Sequence, residues 1–150
     1  MLKIFIFDIA LAKGGKGDDD MRACERDVFE LNTLAWVGGD SYKSLWNIRD
    51  EIKGVISNDD MKHYKMKFSL VEYNDRYGEP ILTKDLVLEE IEGRWYFVLN
   101  LKPKDTQDLN GKFVYQITLI TPSKTQWSKQ GIADIFKNIN PTAFEDEIGG

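Results

Sequence analysis

Two runs of alternating apolar residues constrain this chain more than anything else in it. Arg94 to Leu101 places Trp95, Phe97, Leu99 and Leu101 at every second position, and Lys112 to Thr121 does the same with Phe113, Tyr115, Ile117 and Leu119. Strand side chains point to opposite faces with a period of two, so each run predicts one side against a core and one side in water. Between the runs lies Pro103-Lys104-Asp105-Thr106-Gln107-Asp108-Leu109-Asn110-Gly111, a cluster of turn formers expected to lead the first strand into a paired second one.

Comparable signals recur along the chain. Val28 to Val37, Ser41 to Ile48 after Gly38-Gly39-Asp40, Lys62 to Tyr73, Thr83 to Ile91 and Trp127 to Phe136 all read as strands, and Glu92-Gly93 has the composition of a tight hairpin. About seven strands at this spacing, without a sustained 3.6 period, predict an all-β chain built as a β-sandwich. Two short helical readings compete, Arg49 to Asn58 and Pro141 to Ile148, the second with proline at its first position. Upstream, the β-prone run Ile4-Phe5-Ile6-Phe7 is followed by Ala12 to Asp20, whose glycines and adjacent charges bury too little to order themselves. The expected organisation is therefore an N-terminal arm and hinge over residues 1–27, a sandwich over 28–138 and an acidic tail over 139–150.

Composition narrows the function classes. With 150 residues, 42% of them apolar, the chain supports one core, and a domain of that size buries roughly 70% of its unfolded surface. A formal charge of −5 with no basic block argues against a nucleic-acid partner, since phosphate neutralisation needs a basic face. The apolar start, Met1 to Ala12, contains Lys3 and Asp8 and is too short to span a bilayer, so it reads as a strand or docking arm and no membrane partner is expected.

Candidates for chemistry are few. Cys24 is the only cysteine, which excludes an internal disulfide and a cysteine-rich zinc site. Lys13-Gly14-Gly15-Lys16-Gly17 lacks the GxxxxGK-Ser/Thr spacing of a phosphate loop and is followed by Asp18, Asp19 and Asp20, which repel phosphate. Those aspartates also lack the alternating ligands and distal glutamate of a calcium loop, and they read as a solvated charge run. His63, the sole histidine, has no cysteine beside it to make a nucleophile or metal pair. The expectation is no catalytic residue, no metal and no cofactor.

The aromatic residues divide into core and surface readings. Trp36, Trp46, Trp95 and Trp127 fall on alternating strands, where a large ring gains most by burial; a sugar-binding face is the alternative. Tyr42, Tyr73, Tyr77 and Tyr96 remain as surface anchors for a protein partner, because tyrosine joins an apolar body to a hydrated tip.

Gly93-Arg94-Trp95-Tyr96-Phe97-Val98-Leu99, the stretch from Pro103 to Ile117, and Trp127 to Ile135 together resemble the C-terminal half of immunoglobulin-like domains in tailed-phage virion proteins. There a strand is followed by a proline and an Asp-Thr turn, a Leu-x-Gly corner, a strand with aromatic-x-Tyr, and a last strand entered through glycine. Upstream, Gly39-Asp40-Ser41-Tyr42 followed by Leu45-Trp46-Asn47-Ile48 is similar to an early strand of the same domains, including the N-terminal domains of baseplate upper proteins. The resemblance runs from Val28 to Phe136 and leaves the arm and the Asn58 to Lys62 insert without a counterpart. It implies an immunoglobulin-like sandwich whose corner is structural. Leu109 plugs the open end of the core, Gly111 supplies a backbone shape closed to other residues, Asp105 or Thr106 satisfies turn amides, and Tyr115 carries the aromatic-x-Tyr strand.

The resulting expectation is a non-enzymatic structural component of a tailed-phage virion, made in the bacterial host cytoplasm. Its arm would attach to a capsid, portal-vertex or tail protein by adding Ile4, Phe5, Ile6 and Phe7 to a neighbour's sheet edge. Head-fibre or capsid-decoration attachment comes before baseplate or tail attachment in this reading, and self-association as a dimer accompanies it. A carbohydrate-binding or adhesin module is the alternative function.

Overall fold

The computed structural model describes residues 5–11, 29–50 and 54–144. Ile4, the stretch from Ala12 to Val28 with Cys24 and the aspartate run, and the tail from Glu145 onward lie outside the described residues. The chain is an all-β sandwich of two five-stranded sheets. In order, its elements are β1 (Phe5–Leu11), β2 (Leu34–Val37), β3 (Tyr42–Asp50), β4 (Gly54–Val55), a one-turn helix α1 (Asn58–Met61), β5 (Lys65–Glu72), a 3-10 turn at Tyr73–Asp75, β6 (Leu82–Asp85), β7 (Val87–Ile91), β8 (Arg94–Leu101), a second one-turn helix α2 (Pro103–Thr106), β9 (Gly111–Ile120) and β10 (Gln126–Phe136).

One sheet has the order β1-β3-β8-β7, with β4 paired to the far end of β3; the other has the order β2-β10-β9-β5-β6. The two strands nearest the N-terminus, β1 and β2, both pair parallel to their neighbours, and every other pairing is antiparallel. The inner faces meet as the alternation predicts. Trp46 and Ile48 of β3 and Leu99 and Leu101 of β8 are fully buried against Phe68 and Leu70 of β5, Tyr115, Ile117 and Leu119 of β9 and Ile135 of β10.

Several boundaries differ from the sequence reading for identifiable reasons. The strands β8 and β9 were expected as a pair, yet they lie in opposite sheets, so the segment from Pro103 to Asn110 carries the chain across the sandwich. The run Thr83 to Ile91 is two strands: it follows β5 as far as Leu86, whose amide donates to the Met66 carbonyl at 3.0 Å, and then changes sheet to pair with β8. Leu86 is buried at that crossing, which an apolar residue stabilises while leaving the alternation looking continuous.

The helix expected over Arg49 to Asn58 is replaced by strand: β3 continues to Asp50 and Gly54–Val55 returns antiparallel to it, with Gly54 at φ +81°. What remains helical is α1, where Ser57 accepts the Asp60 amide at 3.1 Å as its N-terminal cap. Pro141 to Phe144 forms a turn, and the rest of the expected terminal helix is outside the described residues. The hairpin at Glu92-Gly93 has both residues at positive φ, 51° and 82°, the type I′ geometry that matches strand twist.

Candidate functional site

The N-terminal strand and the corner were the two places where sequence put function and structure. Phe5, Ile6 and Phe7, expected on an arm that reaches a neighbour, instead pair with the chain's own β3: Phe5 opposite Ser44, Ile6 opposite Leu45 and Phe7 opposite Trp46. The pleat then sorts them. Phe5 stacks on Tyr42 with centroids 5.8 Å apart, and Phe7 lies 4.8 Å from Trp46, while Ile6 points outward with 55% of its surface exposed. Asp8 accepts from both Nε and Nη2 of Arg49 at 3.1–3.2 Å, an exposed pair that adds at most about 1 kcal/mol. The short reach is physical: a strand with aromatic residues at alternate positions covers Tyr42 and Trp46, and burying those rings in the same chain costs no association entropy.

Tyr42 also departs from its expected role. It is 5% exposed, stacked on Trp36 at 4.6 Å as well as on Phe5, and burial pushes its hydroxyl pKa up to about 12. It belongs to the core. Tyr96 is half-buried on the outer face of β8, opposite Glu89 of β7. Of the tryptophans, Trp36 and Trp46 are buried, whereas Trp95 and Trp127 are half-buried, Trp95 under the Lys62 ammonium at 5.2 Å. They do not form an exposed tryptophan platform for sugar.

A surface that sequence reasoning did not assemble lies on the outer face of the β1-β3-β8-β7 sheet. Register places Ile6, Leu45, Val98 and Val87 in one row across four strands. Leu45 and Val98 are buried yet stand apart from the main core cluster; Ile6 and Val87 at the two ends are 55% and 58% exposed. Polar residues flank the row on both sides, with Lys43 opposite Asn100 on one flank, and Asp8 opposite Asn47 on the other, where Arg94 donates to Asn47 Oδ1 at 3.2 Å. The available signal was that β8 reads Trp95-Tyr96-Phe97-Val98-Leu99, apolar on both faces. A strand of that kind needs cover on both sides.

The corner is a set of satisfied structural contacts. Asp105 accepts the Lys102 amide at 2.8 Å and pairs with Lys84 at 3.1 Å, which closes the turn that Pro103 opens. Thr106 is fully buried and its hydroxyl reaches beyond the turn, accepting from the Gly39 amide at 3.0 Å and Trp36 Nε1 at 3.4 Å. The loop after β2 thereby sits hard against α2. A Cβ on Gly38 would stand 2.6 Å from the Leu109 carbonyl oxygen and 2.7 Å from that of Thr106. Leu109 packs on the core from the sandwich end, and Gly111 has φ +117°. Tyr115, fully buried, stacks on Phe68 at 5.9 Å and donates its hydroxyl to the Asn32 carbonyl, with Gly131 opposite it in β10 because a Cβ there would enter the ring. Burial drives the Tyr115 pKa far above its ordinary value.

Among the described residues no three His, Cys, Asp or Glu side chains converge as metal ligands, His63 is exposed, and no helix is long and apolar enough to cross a membrane. No family model matches the sequence, and no curated protein does. The fold does have a solved counterpart. The structure is similar to the N-terminal domain of phage TP901-1 ORF48, with a TM-score of 0.52 and 7% sequence identity, over 91% of this chain and 100% of that one.

Proposed function

We propose that this chain is a non-enzymatic structural component of a tailed-phage virion that docks on a capsid, portal-vertex or tail protein through the outer face of its β1-β3-β8-β7 sheet. The observation that carries this is the row Ile6, Leu45, Val98, Val87, an apolar stripe crossing the whole sheet between polar flanks. Leu45 and Val98 are already covered within the chain, and the exposed apolar ends Ile6 and Val87, rimmed by polar side chains, are the surface this face offers a partner. Likeness of the fold to a phage protein domain supports the particle as the setting, and the immunoglobulin-like type of the sandwich belongs to the same reading. The N-terminal strand keeps a part in attachment by supplying one end of the stripe, Ile6, from within the sandwich.

The test uses the exposed ends of the stripe, which can be changed without opening the core. Ile6→Glu with Val87→Glu should leave stability within about 0.5 kcal/mol, because both side chains face water. The variant should be made at normal levels and be missing from purified intact particles, where the wild-type chain co-purifies with its docking protein. Normal incorporation of the double variant would remove the stripe from the function.

A further inference from the structure

On the opposite side of the molecule, the outer face of the β2-β10-β9-β5-β6 sheet carries a cleft of a different chemical kind. Register aligns Ser69 of β5, Gln116 of β9 and Gln130 of β10 in a single row, which forms the floor. The connection from β5 to β6 folds over this row and makes the wall with Arg76, Tyr77 and Pro80. The cleft holds about 250 Å3. That is less than the roughly 300–1,000 Å3 of sites for drug-sized ligands, and it suits one small ring.

The floor, the Arg76 fork and the loop backbone are held in place before any ligand arrives. Gln130 Nε2 donates to Gln116 Oε1 at 2.9 Å, and Gln116 Nε2 donates onward to Thr118 Oγ1 at 2.9 Å, so the two amides are oriented as a chain. An amide side chain has two donors and a carbonyl acceptor. Gln130 Oε1 and one N–H of each amide therefore remain without a partner among the described residues. The Arg76 guanidinium lies 5.3 Å from the Phe29 ring and 5.9 Å from those of Tyr73 and Tyr77, which fixes its planar fork beside the floor. The wall is kept tight by the Gly78 amide bonding the Asp75 carbonyl at 3.0 Å and by the Ile81 amide bonding the Leu70 carbonyl at 2.8 Å. Tyr77 is 95% exposed at the mouth, although an aromatic ring is the side chain that loses most by standing in water.

The geometry points to a saccharide site in this cleft. A sugar ring has an apolar C–H face that stacks on an aromatic ring, and an equatorial rim of paired hydroxyls that both donate and accept. Tyr77 offers the first surface; the amides of Gln116 and Gln130, with the Arg76 fork and the Ser69 hydroxyl, offer the second. Arg76 is the one charged side chain of the lining, and Asp75 and Glu79 lie one and three residues from it in the sequence. The site is independent of the docking stripe, which lies on the other sheet.

The test is a titration of the 15N-labelled chain with glucose, galactose, rhamnose and N-acetylglucosamine, each to about 20 mM, where a millimolar site is mostly filled. At least one of these sugars should shift the side-chain amide resonances of Gln116 and Gln130 saturably. Tyr77→Ala should weaken that binding about tenfold or more with the melting temperature unchanged, since the ring is exposed, and Tyr77→Phe should keep it. Gln130→Ala should do the same as Tyr77→Ala. No saturable shift with any of the four sugars overturns the proposal, as does a shift that maps away from the cleft or survives Tyr77→Ala undiminished.

Discussion

The strands β1 and β2 invite comparison because each adds parallel to an edge of a different sheet, and the ladder alone misjudges them. The longer, β1, pairs along all seven of its residues with β3; the shorter, β2, pairs along only four with β10. Yet in β1 only Ile9 is buried, while in β2 both inward residues are, Leu34 at 1% and Trp36 at 7% exposure. Beyond its end, β2 is fastened again by Gly38, whose amide bonds the Phe136 carbonyl at 2.9 Å, and by Gly39 on Thr106. Backbone hydrogen bonds exchange water partners for protein partners at small net gain, whereas a buried ring keeps its whole transfer energy. Anchorage follows side-chain burial more than pairing length.

The largest test of that comparison removes one aromatic from each strand. Trp36→Ala takes away a buried indole stacked on Tyr42 and leaves the Thr106 hydroxyl with a single donor, so it should cost about 3–5 kcal/mol. Phe5→Ala removes a half-buried ring that stacks on the same Tyr42 and should cost about 1–2 kcal/mol. Urea unfolding of the two variants gives the ratio. Equal losses would mean that β1 is as firmly held as β2.

How far the sequence reveals this arrangement depends on which force decides each part. Inward positions of β5, β8 and β9 were legible, since Phe68, Leu99, Ile117 and their neighbours alternate with a strict period of two. The Glu92-Gly93 hairpin was legible from turn chemistry. Partner choice was not: nothing local to Arg94–Leu101 and Gly111–Ile120 tells whether two successive strands pair or face each other across a core. The fate of Phe5 and Phe7 was equally hidden, because an amphipathic strand looks the same whether it covers its own sheet or a neighbour's. The outer stripe was invisible for a related reason, since Ile6, Leu45, Val98 and Val87 are joined only by register. Tyr77 stood among the surface tyrosines, but its glutamine neighbours come from strands far along the chain and only the sheet brings them beside it.

Tyr42 sits between the two strands, touching Phe5 of β1 and Trp36 of β2, and its ionisation probes both at once. Its folded pKa is raised from 10.0 to about 12 by burial, so the neutral form is the one the fold favours. The stabilisation is complete below pH 10 and disappears as pH climbs from 10 to about 12, amounting to about 2–3 kcal/mol by the upper end. Tyr115, raised further by burial, adds to the same alkaline loss. Stability measured by urea should therefore be flat from pH 7 to 10 with respect to these groups and fall above it, and Tyr42→Phe should flatten part of the fall. An unchanged alkaline slope in Tyr42→Phe would show that the ring is not enclosed between the two strands.

The smallest effect concerns motion within the intact fold, and it is the finest discriminator between the strands. Native-state hydrogen exchange reports local openings whose free energies range from near zero at loose edges to the global value in the core. The β1 amides that bond to β3 lie on an edge strand whose inward side chains are mostly half-buried, so a local opening that lifts β1 exposes Phe5, Phe7 and Ile9 and uncovers part of Tyr42 and Trp46 while leaving the corner intact. The amides of β2 cannot open without withdrawing Trp36 from Tyr42 and Thr106, which disrupts the corner itself. The β1 amides that bond to β3 should then exchange about 10–100-fold faster than the β2 amides that bond to β10, a gap of roughly 1.4–2.8 kcal/mol, with β9 as slow as β2. Exchange of β1 at the β9 rate would make it an integral strand that opens only with the whole sandwich, and burial would no longer explain the difference between the two parallel edges.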